Sequence, residues 1–157
     1  MFRHMSSDQY SAIDSRRGVD HIGIACVFFC HDGNGRLLLH RRSAACRDEQ
    51  GRWDCGGGAL EFGEDIEAAV RREIREEYGT EPDEVVLAAT TNVLRDNNGT
   101  MTHWVALIHA VRVNPELVKN GDPEKIEDLG WFAPDELPEP MHSMFEKHFA
   151  FVHHLIA

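Results

Sequence analysis

Glu73, Glu76 and Glu77 fall within about one helical turn of the stretch GGGALEFGEDIEAAVRREIREEYGT, residues 56–80. Residues three and four apart share a helix face, so Glu73 neighbours both of the others. Like charges at that spacing destabilise an exposed helix by roughly a few tenths of a kcal/mol, and by more when partly buried. Arg71, Arg72 and Arg75 relieve part of the repulsion, as they would on a solvated, salt-bridged face. Yet Ile66, Ala69, Val70, Ile74 and Tyr78 repeat with a helix period, and the three carboxylates overlap the edge of that apolar face. A hard divalent cation such as Mg²⁺ or Mn²⁺ resolves the placement, because it takes several oxygen ligands and shares them with phosphate. Gly56, Gly57 and Gly58 let backbone approach a ligand closely, and a carbonyl of Gly57 or Gly58 is a candidate for the metal shell. By itself a glycine triplet also reads as a plain turn or bulge.

The elements that must position these residues follow from the hydropathy pattern. HIGIACVFFCH (21–31) is an apolar run of strand length, and DGNG (32–35) turns it into a second strand, RLLLHRR (36–42). A polar loop, 43–54, returns at Trp53. EVVLAATTNVLRD (84–96) and MTHWVALIHAVRV (101–113) are long strands joined through NNG, a strong hairpin signal. An acidic loop over 116–128 precedes a short strand, LGWFA (129–133). From about Met141, the residues Met144, Phe145, Phe149, Val152 and Leu155 recur at helical spacing and predict a final helix. The sum is a mixed sheet with helices packed on it.

Composition bounds the function. The 157 residues are enough for one domain with a genuine core, and 42% apolar with 27% charged is a globular balance. Twenty-seven acids against sixteen Lys and Arg give a formal charge of −11, which disfavours binding to a nucleic-acid polymer. A small phosphate ligand remains open, provided a cation accompanies it. No apolar run reaches the length of a membrane span, and residues 1–18 read as a polar arm rather than an export signal. Cys26, Cys30, Cys46 and Cys55 form no CxxC pair and read as reduced, partly buried thiols rather than a zinc site, so the chain is expected in the cytoplasm.

The residues around the glutamates resemble the Nudix box, G-x₅-E-x₇-R-E-U-x-E-E-x-G-U, where U is a bulky aliphatic residue. Gly58, Glu64, Arg72, Glu73, Ile74, Glu76, Glu77 and Gly79 fill it; Thr80 stands at the last, normally aliphatic position, and Gly56 replaces the proline that often precedes the glycine pair. The resemblance implies a Nudix hydrolase domain over residues 19–157, an α/β fold with an α/β/α sandwich around a mixed β-sheet. It implies metal-dependent hydrolysis of a nucleoside diphosphate linked to another group, through attack of water on phosphorus. Metal would be held by Glu73, Glu76 and Glu77, with Gly57, Gly58 and Glu64 as further candidates. Glu76 or Glu77 would accept the proton of the attacking water, and Arg72 would orient the glutamates by bidentate pairing. A further carboxylate from outside the box is expected in GDPEKIEDLGWF, Glu124 first and Glu127 second.

The substrate is less sharply marked. Nudix subfamilies for ADP-ribose and for dinucleoside polyphosphates carry a proline or a tyrosine at a set distance beyond the box, and Val93, Leu94, Arg95 and Asp96 stand there instead. By elimination the resemblance favours a nucleoside triphosphate, with ADP-ribose or a sugar nucleotide as the alternative. Phe28, Phe29, Trp53, Phe62, Trp104 and Trp131 are the aromatics available to stack on a base. His21, His31, His40 and His103, in or beside strands, and the pair His153–His154 read as satisfied or solvent-facing; Arg41 and Arg42 are candidates for substrate phosphates. A second class of function is a nucleotide-sensing or interaction module on the same scaffold, but such modules usually have a broken box, and every charged position here is intact. Long strands and the polar arm make a homodimer an open possibility.

Overall fold

The structure, a computed structural model, describes residues 15–156. The first fourteen residues of the expected polar arm lie outside the described residues. The strands are β1 (Gly23–His31), β2 (Leu37–Arg42), β3 (Trp53–Asp54), β4 (Gly56–Ala59), β5 (Glu84–Asn97), β6 (Thr100–Arg112) and β7 (Ile126–Phe132). The helices are α1 (Ile66–Tyr78), the short α2 (Phe145–Phe149) and a 3₁₀ turn at His153–Leu155.

All seven strands join one mixed sheet. β1 runs parallel to β6 from Gly23 opposite Trp104 to His31 opposite Arg112. On its other side it pairs antiparallel with β4, from Ala25 opposite Ala59 to Phe28 opposite Gly56. β2 meets β1 only at the turn, His31 opposite Leu37, and then runs between β7 and β3. Asp32 closes that turn by accepting the amides of Asn34 and Arg36. In the β5–β6 hairpin, Asn98 and Gly99 take φ of 53° and 87°, the paired positive values of a type I′ turn, which is why Asn-Gly stands there.

Alternation along β1 divides the core between the two faces of the sheet. Cys26, Phe28 and Cys30 pack with Ala69, Val70, Ile74 and Tyr78 of α1. Phe29 packs on the other face with Phe145, Val152 and Ile156 from the C-terminal segment. The sandwich expected from the sequence is therefore present, with one long helix on one face and short helical turns on the other.

Five details differ from expectation. The glycine triplet is neither turn nor bulge but strand β4, and the 43–54 loop ends in strand β3. β7 begins at Ile126, three residues before the expected strand, because Ile126 is buried and its pairing with β2 starts opposite Arg42. Ile66, assigned by periodicity to the buried face, is exposed at the first residue of α1. The final helix breaks after Phe149: Phe151, Val152, Leu155 and Ile156 donate to carbonyls three residues back. That tighter winding turns Ile156 rather than Leu155 into the core.

Candidate active site

Helix α1 starts at Asp65, whose side chain accepts the Ala68 amide, and stops at Gly79, whose φ of 63° is left-handed. Between these caps its buried face docks on β1 and β4, which turns the glutamates toward the glycine strand. A Cβ on Gly58 would lie 2.1 Å from Cδ of Glu73, so only glycine admits that carboxylate. The Gly57 amide lies close enough to the Glu77 carboxylate to favour its charged form. On the far side, Gly121 packs where a Cβ would lie 2.3 Å from the Glu76 carbonyl oxygen, and its amide donates to the Glu77 carbonyl at 2.9 Å. Strand, helix and the 116–125 loop thus enclose a cavity of about 600 Å³ lined by Glu73, Glu76, Glu77 and Arg72.

Arg72 organises this cavity. Its Nε and Nη2 donate to the two carboxylate oxygens of Glu64 at 2.8 and 3.0 Å, and its Nη1 donates to Glu73 at 2.7 Å. The same Nη1 lies 3.4 Å from Glu76. One guanidinium therefore fixes three carboxylates, with Glu64 in the forked geometry that arginine favours. The Arg72 hydrogen bonds hold Glu64 below the usual carboxylate range, and the two glutamates together push the Arg72 guanidinium further up.

Glu77 receives no such compensation. Its Oε2 is buried without a hydrogen-bond partner. Burial first, and then the charge of Glu73, push its carboxyl well above the usual range, against the Gly57 amide that lowers it. Burial likewise raises Glu73 despite Arg72. An orphaned carboxylate oxygen beside two more acids is the condition a hard divalent cation relieves, and oxygen-only donors suit Mg²⁺ or Mn²⁺. The residues present fit such an ion.

Glu124 and Glu127 are not brought to this cavity. Glu127 pairs with Arg41 at 3.3 Å, and Glu124 offers its carbonyl to the Ser43 hydroxyl while its side chain is exposed. Asp122 lines the cavity instead and adds to the raising of Glu77. The signal for it was Gly121, since a glycine in an acidic loop marks the point where the loop can press against the helix end.

A second cavity of about 570 Å³ opens from the first across His40, Arg42, Gly57, Gly58 and Glu77. Trp104, Val93, Ala106 and Met144 give it apolar walls, and Asp54, His142, His148 and Arg95 give it polar ones. Of the aromatics considered from sequence, only Trp104 lines it. Phe28 and Phe29 are core, Phe62 is fully exposed, Trp53 packs on Phe132, and Trp131 packs against the α1-side core. Among the histidines, His40 is buried, bonds Tyr78 at 2.7 Å and is pushed down to about 4 by burial and by the charges of Arg42 and His142. His21 and His103 pair with Ser15 and Asn92.

Sequence reasoning overlooked this second group. His142 Nδ1 accepts the Met144 amide, which leaves the proton on Nε2, 2.7 Å from Glu49. Glu49 also accepts from Ser143 and Arg95, and Asp48 pairs with Arg42 at 2.7 Å and Arg95 at 3.2 Å. Arg42 is thus engaged by protein. Asp54 accepts the Cys55 amide, its second oxygen lies 3.9 Å from His142, and burial raises it. His148 Nε2 is buried without a partner. The polar residues that surround this cavity come from separate stretches with no fixed spacing, so no one-dimensional signal marks them. The cysteines are free thiols; Cys26, Cys30 and Cys55 are buried, and burial raises all three. No described helix is long and apolar enough to cross a membrane.

Comparison with known proteins agrees with this geometry. The NUDIX domain family matches residues 20–155. A nucleoside triphosphatase, NudI, from Escherichia fergusonii is 33% identical over 127 residues, covering 74% of this chain and 84% of the relative. An isopentenyl-diphosphate Δ-isomerase from Leifsonia xyli is 31% identical over 124 residues, covering 74% of this chain but 64% of the isomerase, less than two thirds of its length. The crystal structure of a MutT NUDIX hydrolase from Burkholderia pseudomallei superposes with a TM-score of 0.74 at 30% identity, covering 84% of this chain and 98% of that one.

Proposed function

The chain belongs to the NUDIX family, and from that premise we propose that it is a metal-dependent pyrophosphohydrolase whose substrate is a nucleoside triphosphate. The observation that carries the reading is the orphaned, buried Oε2 of Glu77 among Glu73, Glu76 and Asp122. Glu73, Glu76 and Glu77 would hold Mg²⁺ or Mn²⁺, with Asp122 and a carbonyl of Gly57 or Gly58 close enough in the fold to contribute. A divalent ion bound there supplies charge neutralisation of the phosphate oxygens and makes phosphorus more electrophilic.

The rest is performed by the chain. Arg72 holds Glu73 and Glu64 in place through two faces of one guanidinium, so the carboxylates need no reorganisation when substrate arrives. Glu76, mostly exposed at the cavity mouth, is placed to take the proton from the attacking water on its carboxylate. Glu77, whose affinity for a proton is raised by burial, is the other candidate. The second cavity takes the nucleoside, with Trp104 as the aromatic wall, Asp54 among its polar lining and His148 offering a buried ring nitrogen that the protein leaves without a partner.

The printed activity of the NudI relative supports the triphosphate reading. The reading that the chain is a sensing module finds no support in the box, whose charged residues form the connected network just described. The test is a screen of purified protein with Mg²⁺ or Mn²⁺ against nucleoside triphosphates, ADP-ribose, sugar nucleotides, dinucleotides and isopentenyl diphosphate, measuring phosphate and pyrophosphate released. Pyrophosphate from a nucleoside triphosphate is the expected product. Turnover confined to a sugar nucleotide or ADP-ribose overturns the substrate assignment, and metal binding with no turnover favours the sensing module.

A further inference from the structure

Six cationic side chains line the two cavities, and four of them are already spent on protein carboxylates. Arg17 pairs with Glu61, Arg42 with Asp48, Arg72 with Glu64 and Glu73, and Arg95 with Asp48 and Glu49. The remaining two, Arg47 and Lys125, have no ion pair and no side-chain hydrogen bond among the described residues. Both line the glutamate cavity, and Arg47 also lines the second one, so it stands at the seam between them. In a chain with formal charge −11, these two cations without an ion pair stand beside a cavity holding Glu73, Glu76, Glu77 and Asp122, where the other cavity-lining cations are all paired.

The backbone carrying them is held together. The Ser43 amide donates to the Lys125 carbonyl at 2.9 Å, the Ser43 hydroxyl to the Glu124 carbonyl, and the Cys46 thiol to the Lys125 carbonyl at 3.4 Å. The loop of Arg47 is therefore stapled to the turn of Lys125, and the two cations share one ledge above the carboxylates. A ledge fixed in this way presents its charges with less ordering cost on binding than two independent loops would.

We propose that Arg47 and Lys125 form a clamp for the terminal phosphate of the substrate, and so select a nucleoside triphosphate over a diphosphate whose outer phosphate is esterified. The proposal rests on the substrate reading above and sharpens it. A terminal phosphate monoester carries about 1.5 to 2 negative charges near neutral pH, more than a phosphate esterified on both sides. The divalent ion and the carboxylates leave that excess unmatched, and two free cations of the ledge match it. Arg47 offers the forked donor face and Lys125 a point charge, the two modes by which these side chains hold phosphate.

The experiment compares wild type with Arg47→Gln, Lys125→Gln, the double variant and Arg47→Lys. It measures kcat and KM for the preferred nucleoside triphosphate and a sugar nucleotide, and inhibition by inorganic tripolyphosphate. Each Gln variant is expected to raise KM for the triphosphate at least about tenfold, the loss of one charge-assisted hydrogen bond. The ratio of kcat/KM for triphosphate over sugar nucleotide should fall by a similar factor, tripolyphosphate inhibition should weaken in parallel, and Arg47→Lys should recover part of the loss. A merely structural role would move both substrates together, and an unchanged ratio overturns the clamp. If wild type hydrolyses no triphosphate, the substrate reading fails by itself, and calorimetric binding of tripolyphosphate then decides the clamp: binding lost in the double variant upholds it, and binding retained there, or absent from wild type, overturns it.

Discussion

Two acidic clusters lie side by side in this molecule and are finished in opposite ways. In the first, Glu73, Glu76, Glu77 and Asp122 face one cavity, Arg72 serves two of the glutamates, and Glu77 keeps a buried oxygen with no partner. In the second, the ligand atoms of Asp48, Glu49 and His142 lie within 4.8 Å of one another, a tighter grouping with the spacing of a metal site. Yet Arg42, Arg95, Ser143 and the Nε2 proton of His142 satisfy that second cluster from within the protein. On the function proposed above, the deficit of compensation rather than the proximity of acids marks the cation site, because a satisfied cluster gains little from an ion that must displace its arginines.

The sharpest way to break this comparison is Glu77→Gln. It should lower kcat on the order of 10³-fold and shrink the rise in Tm that Mg²⁺ or Mn²⁺ produces, while the metal-free protein gains stability by losing an unpaired buried carboxyl. Steady-state kinetics and thermal melts with and without metal measure both effects. An undiminished metal response would move the cation elsewhere.

The seam between the clusters carries a pH dependence. His40 titrates near 4 in the folded protein and near 6.5 when unfolded, so the unfolded chain takes up the proton first. Its contribution is fully present above pH 6.5 and is lost as pH falls toward 4, a total of about 3 kcal/mol. Urea unfolding of wild type against His40→Asn across that range should show the acid-side loss narrowed in the variant.

In the second cluster, Glu49→Ala removes the acceptor from His142, Arg95 and Ser143 together and should cost about 2 kcal/mol of stability. The metal-induced rise in Tm should survive. Its disappearance would mean that the compact cluster holds the ion after all. The smallest expected effect is that of Gly58→Ala. The new methyl meets the carboxylate of Glu73 at the end of its side chain, which moves aside at a cost of about tenfold in metal affinity, read by titrating activity against metal concentration.

The first cluster was legible in the sequence because a helix converts spacing into a shared face. Glu73, Glu76 and Glu77 needed only 3.6-residue periodicity to be placed together, and Arg72 and Glu64 followed from the motif. The strands and the Asn-Gly hairpin were legible for the same local reason. The glycine triplet misled, because the absence of side chains hides a strand from hydropathy; its small size serves Phe28 and Glu73, which approach from other elements.

Sequence by itself therefore determined the helix, its carboxylate face and the fold class, all consequences of short-range periodicity and turn chemistry. Tertiary structure alone decided that Asp122 rather than Glu124 or Glu127 faces the cavity, since that depends on how Gly121 packs on the helix end. It also decided which cations are spent and which are free. Arg42 and Arg47 differ little as letters, yet one is consumed by Asp48 and the other left open to a ligand. Compensation is a property of neighbours in space, and the electrostatic character of the site is fixed only when distant segments of chain are brought within reach of one another.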